Sequence, residues 1–274
     1  MAENLIAKEA YLMESEYDVY DYLELAYSAS SKKKCKEYLN KALELDPDNI
    51  DVLHQLIIVD AKNEYSLLAP LSELLAKATS QMEKEGYFEQ YKGVFWDIHE
   101  TRPYMRLRFH HIRTLVECRR MRLAAKECEE MLELCTSDNL GVRYTLMFLY
   151  AWFEDEKKAL TLYEQYNDFD MTSLLLPLCM LYYKLGDDEN ARLYLKKLEK
   201  CNKDTKVFFS NSAKNDSVIE EAMDEMMPFA YAPNTIQEYL MIMQDYDFIM
   251  LNTPQFFFWA NEQLKRKKAA PAKN

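Results

Sequence analysis

Apolar residues recur along this chain at the three- and four-residue intervals of a helix face, in blocks separated by turns. Between Tyr17 and Ser28, Val19, Tyr22, Leu23 and Ala26 share one side of a helix. Ser30 and Ser31 mark a turn, and Cys35, Leu39 and Ala42 follow at spacings of four and three before Pro47 stops a second helix. This pattern predicts a hairpin. It returns between Tyr182 and Leu198, where Gly186 sits in the turn and Ala191, Leu195 and Leu198 repeat the spacing.

Sliding the template along the chain places Ala69 and Ala76 in a second hairpin, with Glu73 the one polar anchor. Ala124, Cys128 and Met131 fall in a third, and Ala159, Tyr163 and Tyr166 in a fourth. The opening anchors Cys35, Ala69, Ala124, Ala159 and Ala191 lie 34, 55, 35 and 32 residues apart, so the long interval marks an insertion. The insertion holds Gly86 and Gly93 with Tyr87, Phe88, Tyr91, Phe95 and Trp96, which predicts a helix extension and a packed loop. Pro103 suits the first turn of the next helix, and Gly141 precedes the fourth hairpin. Pro177 predicts a kinked or shortened first helix in the fifth hairpin. Two helices, about 234–247 and 255–265 with Thr253 as cap, would seal the end of the stack.

The resulting expectation is an all-α, right-handed superhelical α-solenoid forming one domain over residues 1–274. Repeats one and two occupy about 15–78, the insertion 79–103, repeats three to five 104–200, a helical cap 201–266 and a flexible tail 267–274. Four glycines in 274 residues argue against a turn-rich β fold, and 49% apolar residues supply a core, so disorder is expected only at the ends. The first residues are acidic from Glu3 onward and lack a basic leader, and no run reaches the 18 or so apolar residues of a membrane span, so a soluble cytoplasmic protein is expected. Six cysteines without a C-x-x-C pair read as buried thiols.

The net charge of −12 argues against general affinity for nucleic acid or anionic membrane. One window departs from that average. Seven of the ten arginines lie between Arg102 and Arg122 with Glu117 as the only acid, which makes the window +6 and leaves −18 elsewhere.

The first and fifth hairpins resemble tetratricopeptide repeats, in which a small residue opens the second helix, a bulky one follows four later and alanine three after that. The family prefers a small residue in the first helix where this chain has Leu23, Ile112, Met147 and Cys179, and only Pro47 keeps the closing proline. HETRPYMRLR, from His99 to Arg108, with TPQFFFWA, from Thr253 to Ala260, is similar to bacterial repeat proteins of unassigned activity.

The resemblance implies a concave groove, lined by the first helix of each hairpin, that holds a peptide or protein partner. Carried over, its residues are Arg106, Phe109, His110 and Arg113, then Tyr144, Phe148 and Trp152, then Met180 and Tyr183. Arg102, Arg106 and Arg113 fall within about 40° of one another on a straight helix and form a basic ridge suited to an anionic, partly apolar segment. Two readings compete: a ligand-binding ridge, or arginines that neutralise acidic neighbouring helices. Likewise Tyr144, Phe148 and Trp152 are either groove or core. On the groove reading, reversing Arg106 and Arg113 to Glu abolishes partner capture without loss of helicity.

Catalytic chemistry finds no support, since no nucleophile with a base, carboxylate pair or phosphate loop stands out. The function expected is a non-catalytic scaffold or adaptor without cofactor or metal. His99, His110 and His111 lack metal-ligand spacing, because Pro103 stands four after His99 and the other two point 100° apart. Self-association as a homodimer would suit an acidic chain around one basic ridge. The class-different alternative is a nucleic-acid-binding accessory role for Arg102 to Arg122. The run Lys265 to Lys268 reads as a cationic helix end more readily than as a nuclear signal or RNA contact.

Overall fold

Short polar side chains at the turns fix where the helices begin. Asp18 accepts from the Tyr20 and Asp21 amides while the Asp21 carboxylate accepts from the Asp18 amide; Ser31 and Asn49 accept from the Lys34 and Val52 amides. The computed structural model describes residues 17–166, 171–212 and 232–265, and its secondary structure there is helical. The expected tail at 267–274, the start of the first repeat at 15–16 and part of the cap lie outside the described residues. The chain divides into two compact units between Leu140 and Gly141.

The first unit contains α1 (Val19–Tyr27), α2 (Lys32–Leu45), α3 (Ile50–Asp60), α4 (Leu68–Lys84), α5 (Tyr87–Gln90), α6 (Arg102–Glu117) and α7 (Met121–Leu134). Successive helices pack as neighbours, with α6 against both α3 and α4. Tyr22, Leu23 and Ala26 of α1 meet Cys35, Leu39 and Ala42 of α2 and Val52 of α3 in one buried cluster. Ala124, Cys128 and Met131 are buried on α7, as their spacing predicts.

The expected register fails on α4. Ala69, Glu73 and Ala76 are exposed, and the buried face is Leu71, Leu74, Leu75, Ala78 and Met82. Leu71, Leu75 and Ala78 restore the four-three spacing two residues later, so Glu73 faces water as a carboxylate should.

The insertion is a packed loop, and α4 extends into it. Gly93, at φ 97, donates its amide to Leu134 O and accepts from the Thr136 amide, while Phe95 also donates to Leu134 O. This clasps the loop to the end of α7. Phe95 is fully buried, stacked on Phe88 and edge-on to Tyr104, and the buried Thr101 hydroxyl donates to Phe95 O. Pro103 lies in the first turn of α6, where its missing amide costs nothing.

The second unit contains α8 (Val142–Phe153), α9 (Glu156–Tyr166), α10 (Thr172–Lys184), α11 (Asp188–Cys201), α12 (Thr205–Ser212), α13 (Ile236–Asp245), α14 (Asp247–Met250) and α15 (Pro254–Lys265). Helix α10 is central, packing against α8, α9, α11 and α13, and it runs through Pro177 to Lys184. Ala159 and Tyr163 of α9 are buried while Tyr166 is half-buried. Ala191, Leu195 and Leu198 of α11 are buried. Phe208, Phe209, Tyr239, Phe256 and Phe257 form an aromatic core joining α12, α13 and α15.

Candidate functional site

Each expected groove arginine on α6 meets a partner inside the first unit or is engaged elsewhere. Arg102 donates from Nε to Trp96 O at 2.8 Å and lies over the Trp96 ring. Arg106 grips Asp51 of α3 with two parallel bonds, Nε to Oδ1 at 3.0 Å and Nη2 to Oδ2. Arg108 is buried and answers two carboxylates of α7, donating from Nε to Glu127 at 2.7 Å and from Nη2 to Glu130. Arg113 and Arg122 are exposed and engaged in contacts of their own. Sequence periodicity shows which arginines share a face, but not that α3 and α7 bring carboxylates to them.

The next turn of the same contact carries a pair that sequence spacing missed. His54 Nε2 of α3 lies 2.7 Å from His110 Nδ1 of α6, while Phe109 is half-buried beside it in sequence. Burial pushes the His54 ring down to about 4, with His110 adding to the effect, and burial also lowers His110. Both rings are therefore neutral at pH 7, one donating and the other accepting.

In the second unit three of the expected groove aromatics, Phe148, Trp152 and Tyr183, pack against the chain's own C-terminal segment. Phe148 is fully buried and stacks on Tyr246 with ring centres 4.1 Å apart. Trp152 meets the edge of Phe248, and Tyr183 packs on Phe256 and Trp259. Met180 is fully buried. Tyr144 accepts from Arg143 and donates to the Met171 sulfur at 3.1 Å. Phe148 and Met180 are thus core residues, which corrects their assignment to a ligand-facing groove. The physical reason is that the cap folds back onto α8 and α10.

A different surface in the first unit is left uncovered. Helix α3, IDVLHQLIIVD, carries Asp51, His54 and Gln55 along one side and apolar residues over most of the rest, a wider apolar arc than one packing face requires. Yet Val52 is its only fully buried apolar residue; Leu53, Leu56, Ile57 and Val59 are half-buried and Ile58 is exposed. Leu53 and Ile57, four apart, face Ser66, Pro70 and Leu74 across a cleft of about 750 Å³. At its rim Lys77 is paired with Asp48 and Asp60 with Lys36, whereas the Glu73 and Lys62 side chains have no partner among the described residues. The unbroken apolar run from Leu56 to Val59, with Leu53 one turn earlier, is the sequence signal that marks this surface.

Among the described residues, no group of three or more His, Cys, Asp or Glu is placed to hold a metal ion, and no helix is long and apolar enough to cross a membrane. Burial pushes the Cys128 and Cys179 thiols up, which makes them poor nucleophiles. Comparison with family models, with curated proteins and with solved structures finds no significant match in any of the three.

Proposed function

We propose that this protein is a non-catalytic interaction scaffold of tetratricopeptide-like hairpins, whose partner contributes an amphipathic helix that lies in the cleft between α3 and the start of α4. The carrying observation is the half-open apolar floor of Leu53 and Ile57 on a helix whose apolar arc is wider than its packing neighbours cover. A helix laying its apolar face into such a groove is a common recognition mode, read through side chains one turn apart. The rim selects polarity: Glu73 favours a basic residue on one flank of the incoming helix, and Lys62 an acidic one on the other.

The four-three anchor spacing of α2, α7 and α11 supports the finer reading of stacked hairpins in a right-handed α-solenoid. The buried free thiols Cys35, Cys128 and Cys179 suit a reducing cytoplasm. An anionic partner on the arginine ridge has less support, because Arg102, Arg106 and Arg108 already hold internal acceptors. The nucleic-acid alternative weakens for the same reason.

The variant Ile57→Glu puts a charge on the cleft floor at a half-buried position. Affinity for the partners recovered by the wild-type protein should fall by about tenfold or more, the cost of burying an unpaired charge at an interface. Thermal unfolding should stay close to wild type. An unchanged partner set and affinity would refute this site.

A further inference from the structure

Where α4, α6 and α7 come together, a second cleft of about 620 Å³ is lined by Ser72, Thr79, Glu83 and His111 beside the Arg108 contact with Glu127 and Glu130. We infer that it binds a small organic cation, a primary amine or a guanidinium compound. The inference rests on where its protons are already committed and on the charge that is left.

The Ser72 hydroxyl lies 2.7 Å from Leu68 O, and between those two oxygens only the hydroxyl has a proton to give. Its oxygen, 3.0 Å from His111 Nε2, therefore accepts from that ring nitrogen. In the neutral ring Nδ1 is then a bare acceptor. Burial lowers the His111 proton affinity, which keeps the ring neutral. Although His111 is only 7% exposed and lines the cleft, Nδ1 has no hydrogen-bond partner. A buried acceptor without a donor costs free energy, and a ligand N–H would remove that cost.

The Thr79 and Tyr104 hydroxyls are likewise spent on the protein, while the Ser80 hydroxyl at the exposed rim can donate or accept. Thr79 donates to Leu75 O at 2.8 Å, so Tyr104, 3.3 Å away, donates to Thr79 and in turn accepts from Arg108 Nη1. What remains for a ligand is dominated by acceptors. Three carboxylates, Glu83, Glu127 and Glu130, face one guanidinium, Arg108, which Glu127 and Glu130 already engage. Even with the exposed Lys126, 3.5 Å from Glu130, one negative charge is in surplus. Phe88 meets Tyr104 edge-on at 5.8 Å and gives the cleft an aromatic wall that also favours a cation. The space exceeds what a bare metal ion fills, and an amine of several heavy atoms fits it.

The test is titration of the full chain with agmatine and with putrescine, read by calorimetry and by the ¹⁵N signal of His111 Nδ1. Saturable binding with Kd below about 1 mM is expected, with the Nδ1 signal moving as a hydrogen-bonded acceptor. Glu83→Gln, at an exposed side chain with no partner among the described residues, should weaken binding about fivefold without altering thermal unfolding. No saturable binding, or binding that leaves the Nδ1 signal unmoved and is indifferent to Glu83→Gln, would overturn the site. The second result would reduce the interaction to general attraction by an acidic chain. This site and the α3 docking surface succeed or fail separately, since Ile57→Glu should leave amine binding intact.

Discussion

Asp51 sits almost wholly buried on α3, and the parallel fork of Arg106 satisfies both its oxygens. Reversing Arg106 to Glu would set two carboxylates against each other at a half-buried contact. The Arg106 side chain is 42% exposed, which moderates the loss to about 1–2 kcal/mol in urea unfolding. The charge reversal that a free basic ridge would tolerate is thus expected to destabilise the first unit. The neighbouring His54 gives a pH signature. Its folded-state pKa of about 4 lies below the ordinary 6.5, so between those values the unfolded chain binds more protons and stability falls as pH falls. That contribution is complete above pH 6.5 and declines by about 2 kcal/mol between pH 7 and 5. Urea midpoints for His54→Asn should show a flatter decline over that window; an identical slope would exclude His54 as its source.

At the scale of elements, α4 shows both how far periodicity reaches and where it fails. A repeat template laid over Ala69, Glu73 and Ala76 keeps a regular interval but puts a carboxylate in the core. The structure shifts the register by two residues to Leu71, Leu75 and Ala78. The same side chains were visible in the sequence; the template's demand for alanine outweighed the burial cost of Glu73. Leu75→Ala should therefore cost about 2–4 kcal/mol in thermal or urea unfolding, whereas Ala76→Ser should be nearly neutral. Equal effects would restore the original register. Helices α2, α7 and α11 follow the template because all their anchors are apolar.

Over the whole molecule, the helical content and the turns at Ser31 and Gly186 were legible because each depends on residues close in sequence. The fate of the groove residues was not. Phe148 is covered by Tyr246 and Trp152 by Phe248, nearly 100 residues later, and no local pattern encodes that return. The arginines illustrate the same limit, since Asp51 and Glu127 reach them from other helices. The open surface on α3 was legible in composition, as an apolar arc wider than one packing face, but only the packing shows which side remains uncovered. The proposed function requires that a partner occupy that side. Its most direct test places a photo-crosslinking amino acid at Ile57, and separately at the exposed Leu193 as a control, in cells that make the protein. A discrete adduct is expected from position 57, absent from position 193 and lost when Leu53→Glu is added. No adduct at position 57 above the control would contradict it.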